Sequence, residues 1–180
     1  MDLSSATRVL VTGASRGIGE AIARAFAARG CTLGLLARST DQLERLAASL
    51  PGEGHMALEG DVADAGSIAG AVERFGEVDV LVANAGITHY MPFAELPLEK
   101  AEQMDRVNWL GTLYTVKAAL PGMLERGRGH AVGQGVVDLR HERDVAALTR
   151  CYQQNVRVCR YLCISQRRKR NERIVLTVND

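Results

Sequence analysis

The segment Thr12-Gly13-Ala14-Ser15-Arg16-Gly17-Ile18-Gly19 constrains the fold more than any other part of this 180-residue chain. It follows the apolar run Arg8-Val9-Leu10-Val11 and opens a pattern in which Ile18, Ile22 and Phe26 recur on one helical face. A strand, a glycine turn and a helix start are therefore expected in succession. Gly13 can adopt the backbone angles of a tight turn, while Gly17 and Gly19 remove side chains where an anion approaches and where helix must lie against strand. The first helical amides, Ser15 and Arg16 among the residues leading into them, would then face bound anionic oxygens, aided by the positive end of the helix dipole. A pyrophosphate is the ligand such a turn suits.

The next hundred residues repeat the same alternation. Cys31–Ala37, His55–Leu58 and Val78–Ala83 read as strands, and the continuous apolar runs suit parallel strands covered on both faces. Between them, Ser39 and Gln42 have capping-box spacing ahead of Leu43, Leu46, Ala47 and Leu50. Asp64 is placed to cap a helix with Ile68, Val72 and Phe75 inward. Strand–helix alternation of this kind predicts an α/β fold, a doubly wound parallel sheet of Rossmann-like type, with ligands at the carboxyl ends of the strands. Arg38, Asp61-Val62 and Asn84-Ala85-Gly86 all fall at such ends. Pro97 is expected to open a helix over 98–110 with Met104 and Val107 on one face. A further helix over 112–124 would carry Leu113, Val116, Leu120 and Met123 or Leu124, with Pro121 kinking or ending it and Asn108 between the two helices.

Charge is nearly balanced overall, 22 basic against 21 acidic residues, which points to no particular charged partner. It is distributed unevenly: residues 1–130 carry 12 basic and 16 acidic side chains, whereas 131–180 carry 10 and 5. The start, Met1-Asp2-Leu3-Ser4-Ser5, lacks the basic and apolar regions of a targeting segment, and no apolar run is long enough to cross a bilayer. A cytoplasmic protein with no membrane partner is the expectation. Cys31 lies in an apolar run and reads as a buried small hydrophobe; Cys151, Cys159 and Cys163 show no metal-ligand spacing, so free thiols and no metal site are expected.

The glycine loop, Asp61-Val62, Asn84-Ala85-Gly86 and Asn108 together resemble, in order and spacing, the short-chain dehydrogenase/reductase family over about residues 7–130. The resemblance implies that Asp61 lies by the adenine ring of a nicotinamide cofactor, and that the Asn84-Ala85-Gly86 turn supports the central sheet beside it. Asn108 would hold a water in the proton relay. Each residue taken singly has a plainer reading, Asp61 as a loop cap, Asn84 as a turn former and Asn108 as a helix-end polar group; the set of four favours the family. Where an acidic residue would bind the adenosine ribose and repel a 2′-phosphate, the chain has Ala37-Arg38, and Arg16 adds a second cation. One charge-assisted hydrogen bond contributes about 1.5–3 kcal/mol, roughly ten- to a hundredfold in affinity, so NADP is expected in preference to NAD. The resemblance also implies a small-molecule alcohol or carbonyl substrate and a homo-oligomer, whose interface in the family is built by the helix matching 112–124 together with the helix that carries Tyr and Lys.

The family's reaction uses a Tyr hydroxyl to pass the proton, a Lys four residues later to stabilise its phenolate, and a Ser after the fifth strand. Four residues after Tyr90, Tyr114, Tyr152 and Tyr161 stand Ala94, Ala118, Val156 and Ser165, so the sequence holds no Tyr-x-x-x-Lys. No Ser stands between Ser67 and Ser165; the fifth strand is expected within His130–Val137. Beyond it, a helix over 141–156 and a strand over 174–178 flank the basic run Arg167-Arg168-Lys169-Arg170, read as a solvated turn rather than a nucleic-acid site because no aromatic residues interleave it. The expectation is thus a Rossmann-type NADP-binding part over 1–130, a divergent basic tail over 131–180 that is either separate or part of the same domain, and a sheet incomplete at its C-terminal side. Two functions follow: an NADP-dependent oxidoreductase of this type lacking its Ser, Tyr and Lys, or a non-catalytic NADP-binding, truncated or frameshifted product.

Overall fold

Val9, Leu10 and Val11 are all completely buried, which a strand achieves only when both faces of its sheet are covered. In a computed structural model, residues 6–133 are described in full, and 161–165 and 175–178 as strand backbone. The chain alternates β1 (Arg8–Thr12), α1 (Gly17–Ala27), β2 (Thr32–Ala37), α2 (Thr40–Ser49), β3 (Met56–Glu59), α3 (Ala65–Phe75) and β4 (Val80–Ala83). It continues through α4 (Leu98–Asp105), a π-helical turn (Arg106–Leu110), α5 (Gly111–Arg126) and β5 (Gly129–Gly133), with β6 (Tyr161–Ser165) and β7 (Val175–Val178) beyond. The sheet order is β3-β2-β1-β4-β5-β6-β7. The first five strands are mutually parallel; β6 and β7 each pair antiparallel to their predecessor.

Successive strand residues point to opposite faces, so each strand feeds two cores. Leu10, Leu36, Leu58 and Leu81 pack with Ile68 and Phe75 of α3 and Val116, Ala119 and Met123 of α5. Val9, Val11, Leu33, Leu35, Val80 and Val82 pack with Ala23 and Ala27 of α1 and Leu43 and Leu46 of α2. Cys31 belongs to the second core, and burial raises its thiol pKa above the ordinary value. Gly34 lets Phe75 lie directly on the sheet: a Cβ there would come within 2.9 Å of the ring.

The Rossmann-like doubly wound sheet is as expected, but several local readings change. On α1 the buried stripe is Gly19, Ala23 and Ala27, not the larger apolar residues; Ile22 and Phe26 pack at its flank and Ile18 is 69% exposed. Small residues win because the helix closes so tightly on the sheet. Ser39 does occupy the N-cap of α2, yet makes no side-chain capping bond; its backbone (φ −101°, ψ 89°) leaves the extended cap geometry that Asp64 adopts on α3 (φ −116°, ψ 112°). Asp64 caps as expected, accepting from the amides of Gly66 and Ser67 at 2.8 and 3.1 Å.

α4, the π-helical turn and α5 follow one another without a break, and Pro97 stands one residue ahead of α4 as its N-cap. Pro121 does not end α5, which runs to Arg126 and stops at left-handed Gly127 (φ 64°). Pro121 and Lys117, whose carbonyl the proline deprives of a donor, are both exposed, so water can take the freed acceptor. The buried face of α5 is Gly111, Thr112, Thr115, Val116, Ala119 and Met123, while Leu113 and Leu120 are half-buried and Leu124 is exposed. β6 was not legible in the sequence. The helix expected over 141–156 and the basic run 167–170 lie outside the described residues.

Candidate functional site

Strand order reverses between β1 and β4, and a doubly wound sheet opens its binding crevice at the carboxyl ends of such a pair. Here those ends are Thr12-Gly13 and Asn84-Ala85. Thr12 ties them together: its hydroxyl oxygen accepts from the amides of Asn84 and Ala85, both at 3.0 Å. The Asn84 side-chain amide donates back to the Thr12 carbonyl at 3.1 Å. The glycines make this closeness possible, because a Cβ on Gly13 would sit 2.9 Å from Ala85 Cα and one on Gly19 would sit 2.2 Å from the Gly13 carbonyl oxygen. Gly13, Gly19, Asn84 and Ala85 thus form one interlocked unit.

The start of α1 stands above that unit without a side-chain cap. Asp64 supplies such a cap to α3, whereas at α1, as at α2, the cap residue's side chain makes no bond to the first-turn amides. Gly17 has φ +61° and a Cβ there would meet nothing within 4 Å, leaving open space beside those amides. An anionic diphosphate fits this cradle on charge and room. Ser15 is half-buried in the loop, and Arg16, Gly17 and Ile18 are exposed on it. Arg38 is exposed just past the end of β2. Neither Arg16 nor Arg38 has an ion-pair or hydrogen-bond partner for its side chain among the described residues.

Asp61 and Val62 follow the end of β3. One Asp61 carboxylate oxygen accepts from the Ala63 amide at 2.9 Å, an Asx-type turn, and the Asp61 amide donates to the Ser67 hydroxyl at 3.0 Å. The loop-capping reading of Asp61 is therefore met by one oxygen, and the other has no hydrogen-bond partner among the described residues. Val62 is buried against α5. Asn108 lies in the π-helical turn, and π turns of this kind often occur at functional sites. Its side chain clasps the backbone of Ile87: the Asn108 amide oxygen accepts from the Ile87 N–H at 2.8 Å, and its nitrogen donates to the Ile87 carbonyl at 2.9 Å. The Thr112 hydroxyl donates to the Asn108 backbone carbonyl at 2.8 Å. Beyond exposed Gly86 and the clasped Ile87, His89 has a buried Nε2 with no hydrogen-bond partner, and Tyr90 is 95% exposed.

The structure joins Asn84 to the glycine loop and Asn108 to the segment after Gly86, contacts that no spacing in the sequence indicated. Thr12, Ile87 and Gly111 were not singled out from the sequence; Thr12 stood in the motif, but its partners are 72 and 73 residues away. Among the described residues no group of His, Cys, Asp and Glu could hold a metal ion, and no helix is long and apolar enough to cross a membrane.

The family model for short-chain dehydrogenases matches residues 7–138. The oxidoreductase UcpA of Salmonella typhimurium is 42% identical over 129 residues, 68% of this chain and 49% of that protein. Among solved structures, an alcohol dehydrogenase from Thermococcus sibiricus complexed with 5-hydroxy-NADP is 41% identical, with 69% of this chain and 56% of that one covered and a TM-score of 0.62. A 3-oxoacyl-[acyl-carrier protein] reductase from Brucella melitensis with bound NAD is 30% identical, with 74% and 56% covered and a TM-score of 0.68. The chain spans about half the length of such relatives.

Proposed function

Because the chain belongs to the short-chain dehydrogenase family, we propose that it binds NADP, in preference to NAD, across the carboxyl ends of β1, β2, β3 and β4 as an oxidoreductase of alcohols or carbonyl compounds. The observation that carries this reading is the uncapped start of α1, with Arg16 at its N-cap position and Arg38 just past the end of β2, neither side chain having a partner among the described residues. The amides around Ser15–Gly19 would hold the diphosphate, Ile18 would cover it, and the guanidinium groups of Arg16 and Arg38 would meet the 2′-phosphate. Asp61 and Val62 would bound the adenine, and Asn84-Ala85-Gly86 would line the nicotinamide side. The bound cofactor would supply or accept the hydride. Asn108 spends both side-chain polar atoms on Ile87, so a relay water there would rest on its backbone carbonyl. The same reading puts the protein in the cytoplasm, with copies pairing through α5.

A second reading, a non-catalytic NADP-binding, truncated or frameshifted product, is favoured by one fact: the sequence holds no Tyr-x-x-x-Lys and no Ser between Ser67 and Ser165. Loss of a positioned general acid alone forfeits about 10²–10⁴ in rate. Titrating the purified chain with NADPH and NADH, then assaying oxidoreduction over a panel of alcohols and carbonyl compounds on the same preparation, separates the readings. NADPH binding with Asn108-dependent turnover supports the enzyme; binding without turnover supports the second reading. No binding of either cofactor at millimolar concentration overturns both.

A further inference from the structure

α5 approaches the loop after β3 at a single glycine. A Cβ on Gly111 would lie 2.9 Å from Val62 Cγ2, 3.0 Å from Val62 Cβ and 3.2 Å from the Val62 carbonyl oxygen. The last of these is backbone, so an added methyl could not be accommodated by turning the valine side chain alone. Val62 is 7% exposed and belongs to the core that α3 and α5 share. From the other side, the Ser67 hydroxyl of α3 accepts from the Asp61 amide, and the Asp64 amide donates to the Asp61 carbonyl at 3.0 Å. The loop is therefore gripped between two helices, by a hydrogen bond from α3 and by van der Waals contact from α5. Gly111 follows directly on the π-helical turn whose Asn108 clasps Ile87, so one helical junction touches both the loop after β3 and the segment after Gly86.

We propose that Gly111 is a positioning residue for the adenine end of the cofactor, holding the Asp61-Val62 loop in place by letting α5 close onto Val62. This rests on the cofactor reading above. A methyl group at position 111 pushes Val62, and Asp61 with it, away from α5, and the adenine side of the site loses its fit while the glycine loop is untouched.

The test measures the dissociation constants of NADPH and of adenosine 2′,5′-bisphosphate, together with thermal unfolding, for the full chain and for Gly111→Ala, Val62→Ala and the double variant. Gly111→Ala is expected to weaken both ligands about tenfold or more, the scale of one misplaced polar contact. Val62→Ala removes the Cγ2 atom of the closest contact; in the double variant it should recover part of the lost affinity, a coupling that independent sites do not show. A merely structural glycine would lower the unfolding temperature and leave the affinity of the folded fraction unchanged. Affinity within twofold of the parent in Gly111→Ala overturns the proposal, as does a loss that Val62→Ala fails to relieve. Should Gly111→Ala not fold, Val62→Ala alone, which loosens the same contact without adding volume, must weaken both ligands or the proposal falls. If the unaltered chain binds neither ligand, the cofactor reading fails and takes this one with it; if it binds both and Gly111→Ala binds them equally, only the positioning role fails.

Discussion

Replacing Asn108 by Ala removes both bonds of its clasp on Ile87, the 2.8 Å acceptance from the N–H and the 2.9 Å donation to the carbonyl. Each such bond contributes about 1 kcal/mol net, and a half-buried amide left without a partner costs about 1 kcal/mol more. Asn108→Ala should therefore destabilise the fold by about 2–3 kcal/mol. For a chain of 180 residues that lowers the unfolding midpoint by about 4–12 °C. Circular dichroism on heating and urea titration measure the loss, and amide exchange locates it, since the Ile87 N–H should lose protection while amides of β1 keep theirs. Asn108→Asp is the sharper control. It keeps the acceptor for the Ile87 N–H but sets a carboxylate oxygen against the Ile87 carbonyl, so it should be destabilising at neutral pH and recover as the acid is protonated and can donate again. A midpoint change below about 1 °C in Asn108→Ala, or an Ile87 amide that stays protected, would refute the reasoning.

Arg38→Asp should lower NADP affinity about ten- to a hundredfold and leave NAD binding equal or better; calorimetry giving unchanged cofactor preference would remove the charge argument. Asp64→Ala deletes the side-chain acceptor for the Gly66 and Ser67 amides and should cost about 0.5–2 kcal/mol in urea titration, whereas Ser39→Ala, whose hydroxyl makes no cap, should cost much less. Burial lowers the His130 pKa from its ordinary 6.5, so the folded state binds fewer protons than the unfolded one. That contribution is present above pH 6.5 and is lost as pH falls through the lowered value; the acid limb of the stability profile should flatten in His130→Gln, and an unchanged slope would count against it.

What the sequence made legible follows from the range of the interactions. The apolar runs behind β1, β2 and β4 and the turn at Gly13–Gly19 are local patterns, so strand, loop and parallel layering could be read directly. The inward face of α1 could not, because it depends on how close the helix comes to the sheet: at Gly19 there is no room for a Cβ, and Ala23 and Ala27 follow from that contact rather than from hydrophobicity. The same distance effect hid the clasp of Asn108 on Ile87, 21 residues apart, and that of Thr12 on Asn84, 72 apart. The π-helical turn had no signature of its own; its place between the two expected helices was visible only as the position of Asn108. The sequence reads Pro121 as kinking or ending its helix, and it does not end it, because the cost of a helical proline depends on whether the orphaned carbonyl is wet, which only the fold decides.

The two ends of the sheet are held by different chemistry. At the amino end, charged groups are consumed by structure: the Arg8 amide donates to Asp79 at 3.0 Å, its guanidinium donates to the Phe75 and Glu77 carbonyls and lies 4.4 Å over the Phe75 ring, and Arg126 donates to the Val78 carbonyl at 2.7 Å. Arg128 adds a 3.5 Å ion pair to Asp79. At the carboxyl ends of β1 and β4 the joints are uncharged, made by Thr12, Asn84, Asn108 and close glycine contacts, while after β3 the carboxylates of Asp61 and Asp64 accept from loop and helix amides. Arg16 and Arg38 make no side-chain bond among the described residues, so a phosphate can engage them without breaking any of those bonds. Arg38→Asp should accordingly shift cofactor affinity with stability changed by no more than about 0.5 kcal/mol, whereas Arg8→Ala, which removes the guanidinium donors to the Phe75 and Glu77 carbonyls and a ring contact at the sheet's other end, should destabilise the fold. An Arg38→Asp chain that unfolded as readily as Arg8→Ala would mean that the carboxyl end, too, depends on its cations for structure.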